Sequence, residues 1–217
     1  MNLDTQSCSE SLVESLRKLI NCAIITPTDQ DYNTSRKVYN AMIDKHPGVI
    51  VMCTNTTEVQ TAVNFARNNN LLVAIRGGGH NGGGLGLCDD GMVIDLSGLK
   101  SITVNTENKT VKVGGGCIWN EVDNEHGLAI PSGMVSSTGV GGLTLGGGVG
   151  YLSRKYGLTI DNLLEAEMVL ADGSLVTTNK DEHPNLFWAI RGGGGNFGIV
   201  TKFTFQAHQQ KMVYGGP

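Results

Sequence analysis

Clustered glycine is the feature that most constrains this chain. The 217 residues include 31 glycines, about twice the roughly 7 % of an average protein. They do not follow a collagen period. They gather in three stretches: Arg76-Gly77-Gly78-Gly79-His80-Asn81-Gly82-Gly83-Gly84, Thr138 through Gly150, and Arg191-Gly192-Gly193-Gly194-Gly195-Asn196-Phe197-Gly198. Apolar runs flank each stretch, so these positions need backbone without side chains. Such backbone approaches a ligand closely and can turn its N–H groups toward an anion such as a pyrophosphate. The first stretch holds a literal G-x-G-x-x-G at Gly77, Gly79 and Gly82, and the third another at Gly193, Gly195 and Gly198. A dinucleotide fingerprint must open a helix. Here more glycine follows one match and an apolar strand pattern follows the other. The Rossmann reading fails, and simple NAD dependence with it. No P-loop pattern occurs.

The segments between the glycines read as alternating elements. An amphipathic helix is expected around Leu12–Ile20, followed by a polar approach. Val49–Cys53 and Leu71–Ile75 read as buried strands. Thr57-Glu58-Val59-Gln60 reads as a capping box, and Val59, Ala62, Val63 and Ala66 form one helix face behind it. Strand, helix and strand predict a βαβ unit with parallel strands. Short strands are then expected at Met92–Leu96, Ser101–Val104, Thr110–Val113, Glu165–Leu170, Leu175–Thr178 and Ile199–Gln206, with a helix over Ile118–Glu125. Ala171–Ser174 reads as a hairpin turn. Ile199, Thr201, Phe203 and Phe205 are expected on one strand face. A parallel beginning thus gives way to an antiparallel second half, with the seam near 100–110.

Composition narrows the function. A 40 % hydrophobic and 17 % charged chain of this length has the makings of a soluble core. A net charge of −4 argues against a nucleic-acid surface. Cysteines 8, 22, 53, 88 and 117 are odd in number and form no C-x-x-C pair, which argues against a disulfide framework or a metal site. No apolar run is long enough to cross a membrane. Met1–Ser7 lacks the basic and apolar segments of a leader, so a cytoplasmic location is the default expectation.

The glycine motifs resemble a known family. Arg76–Gly84 resembles the flavin attachment loop of the p-cresol methylhydroxylase type FAD-binding domain. Gly139-Val-Gly-Gly142, continuing to Gly148-Val-Gly-Tyr-Leu-Ser-Arg-Lys-Tyr-Gly-Leu158 with Asp161-Asn162, resembles its second loop. Asp181–Val200 resembles its third. In this order the motifs resemble the berberine bridge enzyme and hydroxynicotine oxidase branch of the vanillyl-alcohol oxidase superfamily. The likeness covers roughly residues 43–207. It implies an α+β fold of two sub-domains clasping an extended FAD. Residues 1–42 would be a helical lead-in, 43–207 the FAD-binding domain and 208–217 the start of a substrate domain otherwise absent. Gly77, Gly78, Gly79, His80, Asn81 and Gly82, with Ser137, Thr138, Gly139 and Gly142, would line the cofactor. Ile199 and Val200 would lie near its adenine end.

The resemblance also assigns chemistry. The family's histidine at the position of His80 bonds to the 8α-methyl carbon of FAD, and a neutral imidazole is a good nucleophile near pH 7. The branch often adds a cysteinyl link just before the second loop. Val135 occupies that position here, so a single histidyl link is expected, with Cys117 a small buried hydrophobe. Arg154, Lys155 and Tyr156 are expected to serve structure, Trp188 to be core, and His46, His126, His183 and His208 to lie on the surface. The catalytic residues would lie beyond Pro217 and are unassigned. The implied activity is oxidation of an alcohol, sugar or amine by hydride transfer to flavin, with dioxygen as acceptor. The alternative is a non-catalytic FAD-binding module that needs a partner chain.

Overall fold

The computed structural model describes residues 8–123 and 127–211. His126, Met1–Ser7 and the last six residues fall outside them. Two sheets organise the chain. The first is built from short apolar runs: β1 (Ala23–Ile25), β2 (Val49–Met52), β3 (Val73–Arg76) and β4 (Met92–Asp95), in the order β1-β2-β4-β3. β2 and β3 each pair parallel to β4, and β1 pairs antiparallel to β2. The expected βαβ unit therefore has the right directions, but its two strands are not neighbours. Met92–Asp95 enters between them, on the first-sheet side of the expected seam.

Helix α1 (Glu10–Arg17) leads in, and the one-turn α2 (Tyr32–Ser35) follows β1. Helix α3 (Thr56–Asn68) connects β2 to β3 and buries Val59, Ala62, Phe65 and Ala66. Its cap differs from the expected box. Asn55 Oδ1 accepts the N–H of Glu58, and Glu58 Oε2 reaches back to the N–H and hydroxyl of Thr54. Asn is a strong N-cap, and it displaces the start by two residues. Gln60 instead donates to the carbonyl of Gly173 on the other half of the chain.

The chain crosses to the second sheet between Asp95 and Ile102. β5 (Ile102–Asn105), β6 (Thr110–Gly114), β8 (Leu163–Val169), β9 (Leu175–Asn179) and β10 (Ile199–Gln206) pair antiparallel in the order β5-β6-β10-β8-β9. A two-stranded ribbon joins β7 (Leu128–Ala129) to β11 (His208–Gln209). Helices α4 (Trp119–Asp123), α5 (Val140–Leu145), α6 (Ser153–Tyr156) and α7 (Pro184–Gly193) complete this half. Val113, Trp119, Ile190, Phe203 and Phe205 are fully buried in its core.

Two side chains depart from expectation. Trp188 is 78 % exposed, because α7 turns Phe187 and Ile190 inward and Trp188 lies between them on the outer side. Trp119 is the core tryptophan. Along β10 a bulge between Val200 and Lys202 flips the alternation. Ile199 packs in the first sheet's core, while Val200 joins Phe203 and Phe205 in the second. The four residues expected on one face are thus divided, and Ile199 with Val169 ties the two halves together. His208 is half-buried and not a plain surface residue. It stacks on Tyr156 at 4.0 Å, and its Nε2 lies 2.6 Å from Asn162 Oδ1. No helix among the described residues is long and apolar enough to cross a membrane.

Candidate cofactor site

The first and second glycine loops meet backbone to backbone. A Cβ on Gly78 would lie 2.4 Å from the amide nitrogen of Gly139, and a Cβ on Gly139 would lie 2.4 Å from that of Gly78. Neither position tolerates a side chain without the loops separating. Gly115 sits beside the junction. Its carbonyl oxygen is 3.6 Å from the Cβ positions of both Gly77 and Gly141, and its own Cβ would strike the carbonyl of Val200. One seam thus gathers the end of β3, the start of α5, the end of β6 and the start of β10.

Local hydrogen bonds fix the second loop. Asn120 N–H donates to Ser136, Trp119 N–H to Thr138, and Val140 N–H to Cys117. Residues 136–140 are therefore laced to the start of α4. Gly139 precedes α5, whose first-turn N–H groups lack intrahelical acceptors. Ile199 and Val200 flank the seam with buried side chains, so they offer a ligand only their backbone. A Cβ added at Gly142 or Gly82 would meet nothing within 4 Å. Asn81 is turned to its own loop, where its Oδ1 accepts the N–H of Leu85. The third glycine stretch ends α7 with non-helical backbone at Arg191 and Gly192 and packs against α5.

His80 stands at the mouth of this seam. Its Nε2 lies 3.1 Å from Ser137 Oγ. Its ring stacks on Tyr39, with centroids 4.1 Å apart and planes 18° from parallel. Tyr39 N–H donates to the carbonyl of Gly79, Asn40 Nδ2 to that of Gly82, and Lys45 Nζ to those of Gly84 and Leu87. Residues 39–45 therefore brace the whole loop. Below lies a cavity of about 450 Å³ whose lining includes Ser35, Tyr39, Arg76, Gly78, His80 and Ser137. At its floor Arg76 pairs with Asp95, both nearly inaccessible, and Arg76 also donates to the carbonyl of Ser35. A smaller polar cavity of about 330 Å³ on the second sheet, lined by Lys112, Glu165, Glu167 and Lys202, touches none of these residues.

Sequence reasoning passed over Tyr39 and the Arg76–Asp95 pair. The pair did carry a signal: each charge ends an otherwise apolar strand, VAIR and MVID, and charges buried in such places need partners. Cys117 is fully buried, and burial pushes its thiol up to about 11, which makes it unreactive. Val135 is exposed.

The loop contact yields a direct test. Gly139→Ala is expected to cost about 1–3 kcal/mol, the usual range for overpacking, since its methyl group meets backbone. Gly142→Ala, in open space on α5, is expected to be neutral or slightly stabilising. Thermal denaturation of both variants checks this. Equal losses at the two positions would show that the loops are not in contact.

The residues at the seam fit a flavin dinucleotide in one observable respect: they form a side-chain-free cradle, built from two loops, beside a held imidazole. A family described as "FAD binding domain" matches residues 47–179. The uncharacterized FAD-linked oxidoreductase YgaK of Bacillus subtilis is 43 % identical over 192 residues, which cover 85 % of this chain and 43 % of that protein. The crystal structure of 6-hydroxy-D-nicotine oxidase from Arthrobacter nicotinovorans superposes with a TM-score of 0.85 at 38 % identity, over 87 % of this chain and 42 % of the other. Glucooligosaccharide oxidase from Acremonium strictum, described with a 6-S-cysteinyl, 8α-N1-histidyl FAD, gives 0.86 at 29 % identity, over 92 % and 43 %. The chain spans less than half the length of these relatives.

Proposed function

The chain belongs to the FAD-binding-domain family, in its berberine bridge enzyme and hydroxynicotine oxidase branch, and from that premise we propose that it holds FAD across the Gly78–Gly139 seam with His80 as the single covalent attachment point. The family is one of FAD-linked oxidoreductases. The observation that carries the proposal is the mutual exclusion of side chains at Gly78 and Gly139 beside a histidine held by Ser137 and Tyr39.

In this reading Gly77–Gly79 and Ser137–Gly142 bind the pyrophosphate through backbone N–H groups, and residues 43–207 are the FAD-binding portion. Asn81 and Gly82 shape the loop, while Ile199 and Val200 close the adenine end by their backbone. Ser137 and Tyr39 orient the His80 ring. FAD held there would supply a two-electron acceptor for hydride from an alcohol, sugar or amine, and dioxygen would be the acceptor from the flavin. Protein contributes binding, orientation and electrostatics to such chemistry.

The pyrophosphate claim separates ligands. FAD is expected to bind at least about 100-fold tighter than riboflavin, which lacks every phosphate contact (roughly 2.7 kcal/mol). Flavin fluorescence titration reads this, and equal affinities would contradict it. A peptide of these 217 residues is also expected to release no peroxide with amines, alcohols or oligosaccharides. The chain spans less than half the length of the oxidases it resembles, and oxidation at a flavin needs water excluded from the substrate side. Substrate-dependent turnover near 1 per second, within the ordinary enzyme range, would overturn that expectation.

A further inference from the structure

We infer that Cys22 and Cys53 are a built dithiol that a hydroperoxide converts to a disulfide, stapling the edge of the first sheet. This goes beyond the cofactor reading and does not rest on it.

The register of β1 and β2, continued one residue past the end of each strand, sets the two residues opposite each other. β1 and β2 pair Ala23 with Met52, Ile24 with Val51 and Ile25 with Ile50, and one further step sets Cys22 against Cys53. The N–H of Cys53 donates to the carbonyl of Asp95 on β4, on the far side from β1. Its backbone polar groups therefore do not bond to Cys22, which makes this a non-hydrogen-bonded cross-strand pair. Such pairs hold their Cα atoms about 4.5 Å apart with side chains close, inside the roughly 4.4–6.8 Å span of disulfides. Cys22 also packs against the buried cluster that contains Cys53.

The two cysteines are chemically unequal. Cys22 is half-buried at the sheet edge and Cys53 is inaccessible. The interaction with the Cys53 thiol lowers the Cys22 thiol below its ordinary value, while the same interaction, then burial, raises Cys53. Cys22 is thus the attacking group, since the thiolate is the nucleophile. Its thiolate displaces hydroxide from the peroxide O–O bond and becomes a sulfenic acid. The Cys53 thiol then attacks that sulfur and releases water. In sum, two thiols and one hydrogen peroxide give one disulfide and two waters. The closed loop contains Tyr39 and Lys45, the residues that brace the first glycine loop, so oxidation would tether that brace.

Trypsin leaves the two cysteines on separate peptides, Leu19–Arg36 and His46–Arg67, each with one cysteine. The test is peroxide treatment of the 217-residue chain, alkylation under denaturing conditions, digestion and mass spectrometry. The expected product is these two peptides joined with loss of two hydrogen atoms and separated again by reductant. It should exceed any other cysteine pair at least about tenfold, the preference that a proximity difference of 1.4 kcal/mol already gives. The oxidised chain should melt roughly 5–10 °C higher than the reduced chain. In Cys53→Ser, a sulfenic acid trap should label Cys22. Both peptides fully alkylated after peroxide, Cys22 joined to any cysteine other than Cys53, or an unlabelled Cys22 in Cys53→Ser would each overturn the inference.

Discussion

Replacing Asp95 with alanine is expected to destabilise the protein by about 3–5 kcal/mol, the range for removing one partner of a buried ion pair. Asp95 lies on an interior strand of the first sheet and is 1 % exposed, and Arg76 is its register partner on β3. The guanidinium donates through Nε and Nη2 to one carboxylate oxygen, while the other accepts the N–H of Ser97 at 2.7 Å. Without Asp95 a positive charge stays buried, with only the carbonyls of Ser35 and Lys37 near its free nitrogen. The cost is that of an uncompensated charge and not of one lost contact. For a chain of this size the melting temperature should fall by roughly 6–20 °C. Asp95→Asn keeps an acceptor for Ser97 but loses the charge, and should fall between alanine and wild type. A loss under about 1 kcal/mol for Asp95→Ala, the range of an exposed pair, would show that water reaches the pair.

The consequence extends to the site. Arg76 is the last residue before the glycine loop and also ties down the Ser35–Lys37 turn, which leads directly into Tyr39. The ion pair therefore anchors both the loop that carries His80 and the segment that carries Tyr39, on which the His80 ring stacks. Asp95→Ala should loosen Tyr39 as well as unfold the chain more easily.

What the sequence disclosed and what it hid divide along one line. Requirements that a residue meets by itself were legible. Glycines that must lack a side chain stand out in clusters, and the contact of Gly78 with Gly139 explains two of those clusters together. Runs such as Val49–Met52 and Ile199–Gln206 reveal themselves as strands by composition. Choices of partner were not legible. Nothing local to Met92–Asp95 says that it enters between β2 and β3, since hydrogen-bond pairing of strands is decided across the fold. Trp188 looks like core by its chemistry, yet the helical phase set by Phe187 and Ile190 points it outward. The bulge after Val200 changes a face without changing a residue type. Tyr39 lies far from His80 in sequence, and only the folded brace of residues 39–45 brings their rings together. At the Thr57 cap, a stronger capping residue two positions earlier won.

The second large effect concerns His80. Covalent attachment is all-or-none at the level of a single nitrogen, so His80→Ala should abolish it completely while the Gly78–Gly139 cradle still binds FAD reversibly. Ser137 occupies Nε2, so attack on the proposed FAD would come from the other nitrogen, with the ring held in one orientation. Ser137→Ala should therefore slow attachment without preventing it. If Val135 takes the place of the cysteine that gives a second link, as the sequence reading expects, a flavin peptide should carry one bond, to the peptide containing His80.

The most direct measurement is the flavin absorbance of FAD-loaded protein before and after acid precipitation. The wild type should give a yellow pellet and His80→Ala a colourless one, with the FAD of the variant recovered in the supernatant. Free FAD in the wild-type supernatant over a colourless pellet would contradict attachment through His80, and a chain that takes up no FAD at all would contradict the cradle itself.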